Sequence, residues 1–344
     1  MPDARYLSVL EILDGSPPDP ASGEILGHSR EGREIRGYRL GQGPRNVSLI
    51  AGCHADEPVG PAMLDLLVSW LTTSPASARA RETFSFFVVP HANPDGESRN
   101  AGWVAGRLAL VEKGTFELAP YLSQVIRELP GDDVEFGFPR HPDDSAARPE
   151  NRAIANFLRA HGSFVLHGSF HGMAFAAGPW FLMEKSWAGR TAAMRVNLRR
   201  EVAALGYVCH DVDRRGDKGF ERIDEGFTTR PDSQAMVAHF RNQGDEAMAA
   251  LFRPSSMEFV RSLGGDPLTL VSELPLFLLP RRHFEGDELV RPAAIFDLRR
   301  LAGDETALAA AAERHGLRPM PIRDQMRLQI LFLEEALEAV AGST

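Results

Sequence analysis

His54-Ala-Asp-Glu57 puts an imidazole and a carboxylate three residues apart, between an apolar run, Val47-Ser-Leu-Ile-Ala-Gly52, and the helix-like start Pro58-Val-Gly-Pro61. A strand that ends in His-x-x-Glu and turns into a helix can aim a nitrogen and an oxygen at one point. Two such ligands and a histidine from elsewhere make the His2Glu set of catalytic zinc, with a position left for water. The four residues are weak by themselves, because this spacing arises often by chance. A second group, Pro90-His-Ala-Asn-Pro-Asp-Gly96, closes another apolar run. Alone it is a good turn sequence. At the carboxyl end of a sheet strand it lies on the edge where open α/β sheets bind ligands. Arg99 follows three residues on, where an arginine can bind a developing oxyanion, although most arginines simply face solvent.

The elements that must position these groups are readable from periodicity. Gly23 to Ile35 reads as a hairpin turning at Arg30-Glu-Gly-Arg33. Val47 to Ala51 and Phe84 to Val89 are apolar and β-prone, and between them Val59, Met63, Leu66, Leu67, Trp70 and Leu71 recur at helical spacing. Strand, helix, strand begins an α/β sheet. Pro149 to Ala160 is an amphipathic helix opening on Pro-Glu. Phe164 to His171, Trp180 to Met183 and Leu268 to Glu273 read as strands, and Ala188–Leu205, Ser233–Leu251 and Ile322–Val340 as helices. Two stretches break the rhythm, at about 103–148 and 210–232. Long irregular insertions are often functional loops, and equally often solvated excursions.

The chain has 344 residues, 43% hydrophobic and 25% charged, which is an ordinary globular composition. A net charge of −9 and a pI near 5.7 argue against nucleic acid as a partner. There is no basic start followed by a long apolar core, and no run approaches a membrane span. Cys53 and Cys209 are the two cysteines, which suits a reduced, cytoplasmic setting.

His54-x-x-Glu57-Pro-Val-Gly60, Asn93-Pro-Asp-Gly96, a strand ending in Ser169-Phe-His171-Gly and Ser272-Glu273-Leu-Pro275 follow one another in that order. Together they resemble the zinc metallocarboxypeptidases of the carboxypeptidase A type, over about Gly27 to Pro280. The Pro149-Glu helix before His171 fits the same pattern without a gap. The resemblance implies an α/β fold with a mixed sheet of about eight strands and helices on both faces, in one catalytic domain spanning 1–344. It implies a single zinc ion on His54, Glu57 and His171, with Glu273 as general base and Arg99 as the arginine that polarises the scissile carbonyl. Burial at the end of an apolar strand should raise the Glu273 pKa, which suits a proton shuttle. The other reading of Glu273 is a structural carboxylate paired with an arginine at the sheet edge.

His167, four residues before His171, shares its face of the strand. It reads as a buried histidine with a satisfied partner or as a group behind the ligands. His91 reads equally as a group near the metal and as a strand-end residue facing solvent. The chain also departs from the family. The Asn-Arg pair that grips the substrate's free carboxylate is missing, and the matching place reads Val134-Glu-Phe-Gly-Phe-Pro-Arg140. The catalytic-loop tyrosine is absent as well, with Arg261 near its expected place. Arg140, and then Arg261, are the expected replacements for a carboxylate-bearing peptide or acyl-amino acid. Two further readings are an N-acyl amino acid deacylase of the aspartoacylase or succinylglutamate desuccinylase type, and a metal-containing binding protein without turnover. An intact Glu273 speaks against the last.

Overall fold

The computed structural model describes residues 5–104, 110, 114–285 and 292–342. Ten strands build one mixed sheet: β1 Glu24–His28, β2 Glu34–Leu40, β3 Arg45–Ala51, β4 Phe84–Val89, β5 Leu166–Ala176, β6 Trp180–Met183, β7 Arg222–Asp224, β8 Phe227–Thr229, β9 Leu268–Leu278 and β10 Arg318–Pro319. Their order is β1-β2-β4-β3-β5-β9-β6-β8-β7, with β10 pairing to β9. The central strands β4, β3, β5 and β9 run parallel, and β1, β2, β6, β7 and β10 introduce antiparallel pairings. The sheet exceeds the expected eight strands partly because the charged stretch 210–232 contains β7 and β8, which are too short and too polar to show a period of two.

Alternation along the strands assigns the two faces. Val47, Leu49 and Ala51 join Leu166 and Phe170 in one core, covered by α1 (Val59–Thr73), α4 (Ala192–Ala204) and α6 (Ile322–Ala341) through Leu66, Leu198 and Ile330. Ile50, Phe87 and Val89 join a second core on the opposite face, where α3 (Pro149–Arg159) and α5 (Ser256–Ser262) contribute Ile154, Phe157, Phe259 and Val260. α2 (Pro94–Val104) follows β4 directly. Helices therefore lie on both faces, as an open α/β sheet requires. The expected helix 233–251 is two, Ser233–Asn242 and Glu246–Leu251, because Gly244 takes φ 77 and Asp245 caps the second through the Met248 N–H. No helix among the described residues is long and apolar enough to cross a membrane.

Two glycines shape the edge at the carboxyl ends of these strands. Gly52 takes φ 67 immediately after β3, a left-handed conformation that suits a residue without Cβ. Gly60, in the first turn of α1, lies so close to β5 that a Cβ would meet the Phe170 carbonyl oxygen at 2.4 Å. That close approach brings the segment 54–57 against the strand that carries His171.

Candidate metal centre

Sheet register does much of the assembly. In the ladder His171 of β5 pairs with Glu273 of β9, and Glu273 pairs with Trp180 of β6. Directly paired residues share a face, so these three side chains stand in a row at a spacing of about 5 Å. The turn after β3 brings His54 and Glu57 to the same row. His54 Nδ1 lies 2.7 Å from Glu57 Oε1 and 3.1 Å from His171 Nδ1, and His171 Nδ1 lies 2.9 Å from Glu57 Oε2. Glu57 and His171 are buried, and His54 keeps partial access to solvent.

Two imidazole nitrogens and a buried carboxylate aimed at one another form a donor set that suits a borderline cation such as zinc. The outer ring nitrogens also have partners. His54 Nε2 is 3.4 Å from Asp133 Oδ2. His171 Nε2 is 2.7 Å from Ser169 Oγ and 3.3 Å from Glu135 Oε2. Carboxylates and hydroxyls behind ligating histidines fix their rotation and tautomer. Cys53, Glu135 and His171 Nε2 make a second convergent triad. Burial, and then Glu135, push the Cys53 thiol well above its usual range. Cys53 is fully buried, whereas His54 keeps partial access to solvent, so His54, Glu57 and His171 leave the open position that a catalytic ion needs and are the better set.

Charge follows the same geometry. Burial works against ionising Glu57, but His54 and then His171 outweigh it and hold the carboxyl below its usual range. Burial likewise opposes a charged His171, and Glu57 and then Glu135 overcome it, so its pKa rises to about 10. The His54 pKa is also raised, by Glu57 and then Asp133 against burial. Burial, reinforced by Glu57, pushes Glu273 up to about 8. A carboxyl poised near neutrality can both take and give a proton.

The structure revises several sequence expectations. Arg99 does not reach this row. It leaves along α2 and pairs with Glu31 at 2.5 Å and Glu128 at 3.5 Å. Arg127, in the irregular stretch before Asp133, stands there instead, 3.6 Å from Glu57 Oε1 and 3.5 Å from Asp56 Oδ2. Arg140 follows Phe138, whose ring is buried against Phe259, and it donates to the Phe252 carbonyl at 3.0 Å. Arg261 is at the other edge of the sheet, 3.4 Å from the Pro267 carbonyl and 3.3 Å from Glu184. Pro267 precedes Glu273 by six residues, roughly 20 Å of extended strand. Neither arginine is a neighbour of the cluster. His167 lies between Ser48 Oγ at 2.7 Å and Ser256 Oγ at 3.2 Å, and burial lowers its pKa to about 3, so it is a neutral core histidine. His91 Nδ1 accepts from the Asn93 N–H and its Nε2 is 3.6 Å from Glu97. Asn93-Pro-Asp-Gly96 is structural: Asn93 Oδ1 accepts from Gly96 N–H, and buried Asp95 holds Ser29, Glu31 and Arg33 of the hairpin turn.

Asp133, Glu135 and Arg127 were not singled out from the sequence. The signal was the place of Glu135 in the segment that departs from the family pattern, with Asp133 immediately before it.

The model of the zinc carboxypeptidase family matches residues 6–180, just over half of the 344-residue chain. Zinc carboxypeptidase A 1 of Anopheles gambiae is 40% identical over 83 residues, 22% of this chain and 19% of that protein. Zinc carboxypeptidase A 1 of Drosophila melanogaster is 32% identical over 80 residues, 20% of this chain and 19% of that protein. The matched stretch thus spans about a fifth of each relative. Carboxypeptidase A from Helicoverpa armigera has the same fold, with a TM-score of 0.50 at 13% identity over 98% of this chain and 71% of that one. The chain belongs to the zinc carboxypeptidase family.

Proposed function

We propose that this member of the zinc carboxypeptidase family is a zinc-dependent hydrolase of amide bonds, with residues 1–344 forming one catalytic domain. The observation that carries the reading is the convergence of His54 Nδ1, Glu57 and His171 Nδ1 beside Glu273, the ladder partner of His171. His54, Glu57 and His171 would hold one ion, and Asp133, Ser169 and Glu135 would orient the two rings. Zinc bound there would supply Lewis acidity, making water a nucleophile near neutral pH. Glu273 takes the proton from the attacking water and passes it to the leaving amine, a task that suits its raised pKa. Arg127, 3.6 Å from Glu57 Oε1, steadies the oxyanion of the tetrahedral intermediate.

The test is metal content and turnover on one preparation. Purified protein should retain close to one zinc per chain and hydrolyse acyl-amide substrates, and a chelator should remove both properties together. His54→Ala and His171→Ala should lose metal and activity, whereas His167→Ala should keep its metal. Hydrolysis that survives complete removal of metal would sink the reading.

A further inference from the structure

We propose that the subsite for the leaving amine receives a cationic group, held by Glu135, where the family resemblance implies a free carboxylate. The inference rests on the hydrolase reading above and names its substrate class. Glu135 and Phe136 stand in the segment that matches the family's Asn-Arg pair, so an acid and an aromatic ring replace the carboxylate clamp. The Phe136 ring packs edge-on against Phe252 with centroids 5.4 Å apart. Glu135 is 4% exposed, its Oε1 lies 3.5 Å from Ser256 Oγ, and its Oε2 has no hydrogen bond among the described residues. That oxygen stands 3.3 Å from His171 Nε2, whose own hydrogen bond goes to Ser169.

A buried carboxylate whose near donors are the weak Cys53 thiol, the Ser256 hydroxyl at 3.5 Å and a His171 Nε2 shared with Ser169 is left short of hydrogen bonds, which is costly. An ammonium brings three donors and opposite charge. A substrate carboxylate would instead meet a like charge, and the described arginines nearest in sequence or space are engaged elsewhere. Arg140 and Arg261 are turned elsewhere, Arg148 is engaged by Glu150, and Arg127 stands beside Asp56 and Glu57. The walls nearby are apolar. Ser256 adjoins Met257, which clusters with Trp180, Phe220, Val271 and Met173. Trp180 Nε1, in the row of Glu273, is another buried group without a hydrogen-bond partner among the described residues. Together these features suit an apolar arm that ends in a charged amine.

The experiment uses the zinc-loaded full chain and three benzoylglycyl amides. The leaving amines are phenylalanine, phenylalaninamide, and the diamine in which an aminomethyl group replaces the carboxylate of phenylalanine. The diamine substrate should exceed the acid in kcat/KM by at least ~10-fold, with the neutral amide between them. In Glu135→Gln that ratio should fall toward one. Because the ratio is taken within each variant, a loss common to all three substrates through His171 cancels. Calorimetric binding of the free diamine against phenylalanine should show the same order. That measurement separates a failed subsite from a failed hydrolase reading, since it needs no turnover. Preference for the acid would overturn the proposal and direct attention to Arg214, whose guanidinium lies 4.3 Å from the Phe220 ring centre. An unchanged ratio in Glu135→Gln would make Glu135 a positioning residue alone. A second zinc per chain, lost in that variant, would make it a ligand.

Discussion

His54, Glu57, His171 and Glu273 were legible because each belongs to a short local pattern that the sheet then brings together. Arg127 was not, because it lies in an aperiodic stretch and reaches the row only through the path of the chain back toward Asp133. Arg99 had the better sequence position, yet the turn of α2 carries it to Glu31. The two arginines therefore predict different kinetics. Arg127→Ala should lower kcat more than it raises KM, since an oxyanion contact strengthens in the transition state. Arg99→Ala should change either constant by less than ~3-fold, because an exposed ion pair contributes little. Equal effects of the two substitutions would return Arg99 to the mechanism. Glu273→Gln preserves shape and removes the proton acceptor, so it should keep metal while kcat falls at least ~10²-fold. A near-normal kcat in a variant of full metal content would move the base elsewhere.

At the scale of elements, long apolar strands and the helix between β3 and β4 were readable from period alone, because burial of one stripe leaves a regular pattern. The short strands β7, β8 and β10 were not, since two or three residues carry no period and their place is set by pairing with neighbours. The same limit hid the break at Gly244, where a local backbone conformation overrides a continuing helical pattern. The sequence-level expectation of a tight His-x-x-Glu turn finds its physical basis in the contact between α1 and β5. Gly60→Ala places a methyl group against the Phe170 carbonyl, one residue before His171. Backbone must shift to relieve that clash, so the substitution should cost about 1–3 kcal/mol of stability. It should also weaken zinc retention, because the shift moves His54 and Glu57 relative to His171. Denaturant unfolding and metal analysis on the same variant check both. A variant as stable as the parent that still binds zinc fully would show that α1 can slide without disturbing the cluster.

At the scale of the whole molecule, composition and charge argue about classes of function but say nothing of how the chain closes on itself. Glu334, deep in α6, accepts from the backbone N–H groups of Tyr6 at 2.9 Å and Leu7 at 2.7 Å and so ties the start of the described chain to its last helix. A glutamate in an otherwise apolar helix stripe would be read from sequence as a misplaced surface residue. Only the tertiary contact explains it. The carboxyl is 1% exposed, and burial pushes its pKa up to about 7 from the ordinary 4.5. The folded state therefore binds this proton more tightly than the unfolded chain. Its contribution to stability is fully present below about 4.5 and is lost progressively as pH rises toward about 7. Linkage sets the slope at no more than ~1.4 kcal/mol per pH unit, and the whole change at about 1–3 kcal/mol. Glu334→Gln keeps the shape but cannot titrate. Unfolding free energies measured from pH 4.5 to 8 should show the parent losing stability relative to the variant as pH rises to about 7, and a constant difference above that. A difference that is flat across the range, or that grows in the parent's favour, would mean that the two backbone N–H groups stabilise the charged carboxylate enough to cancel its burial.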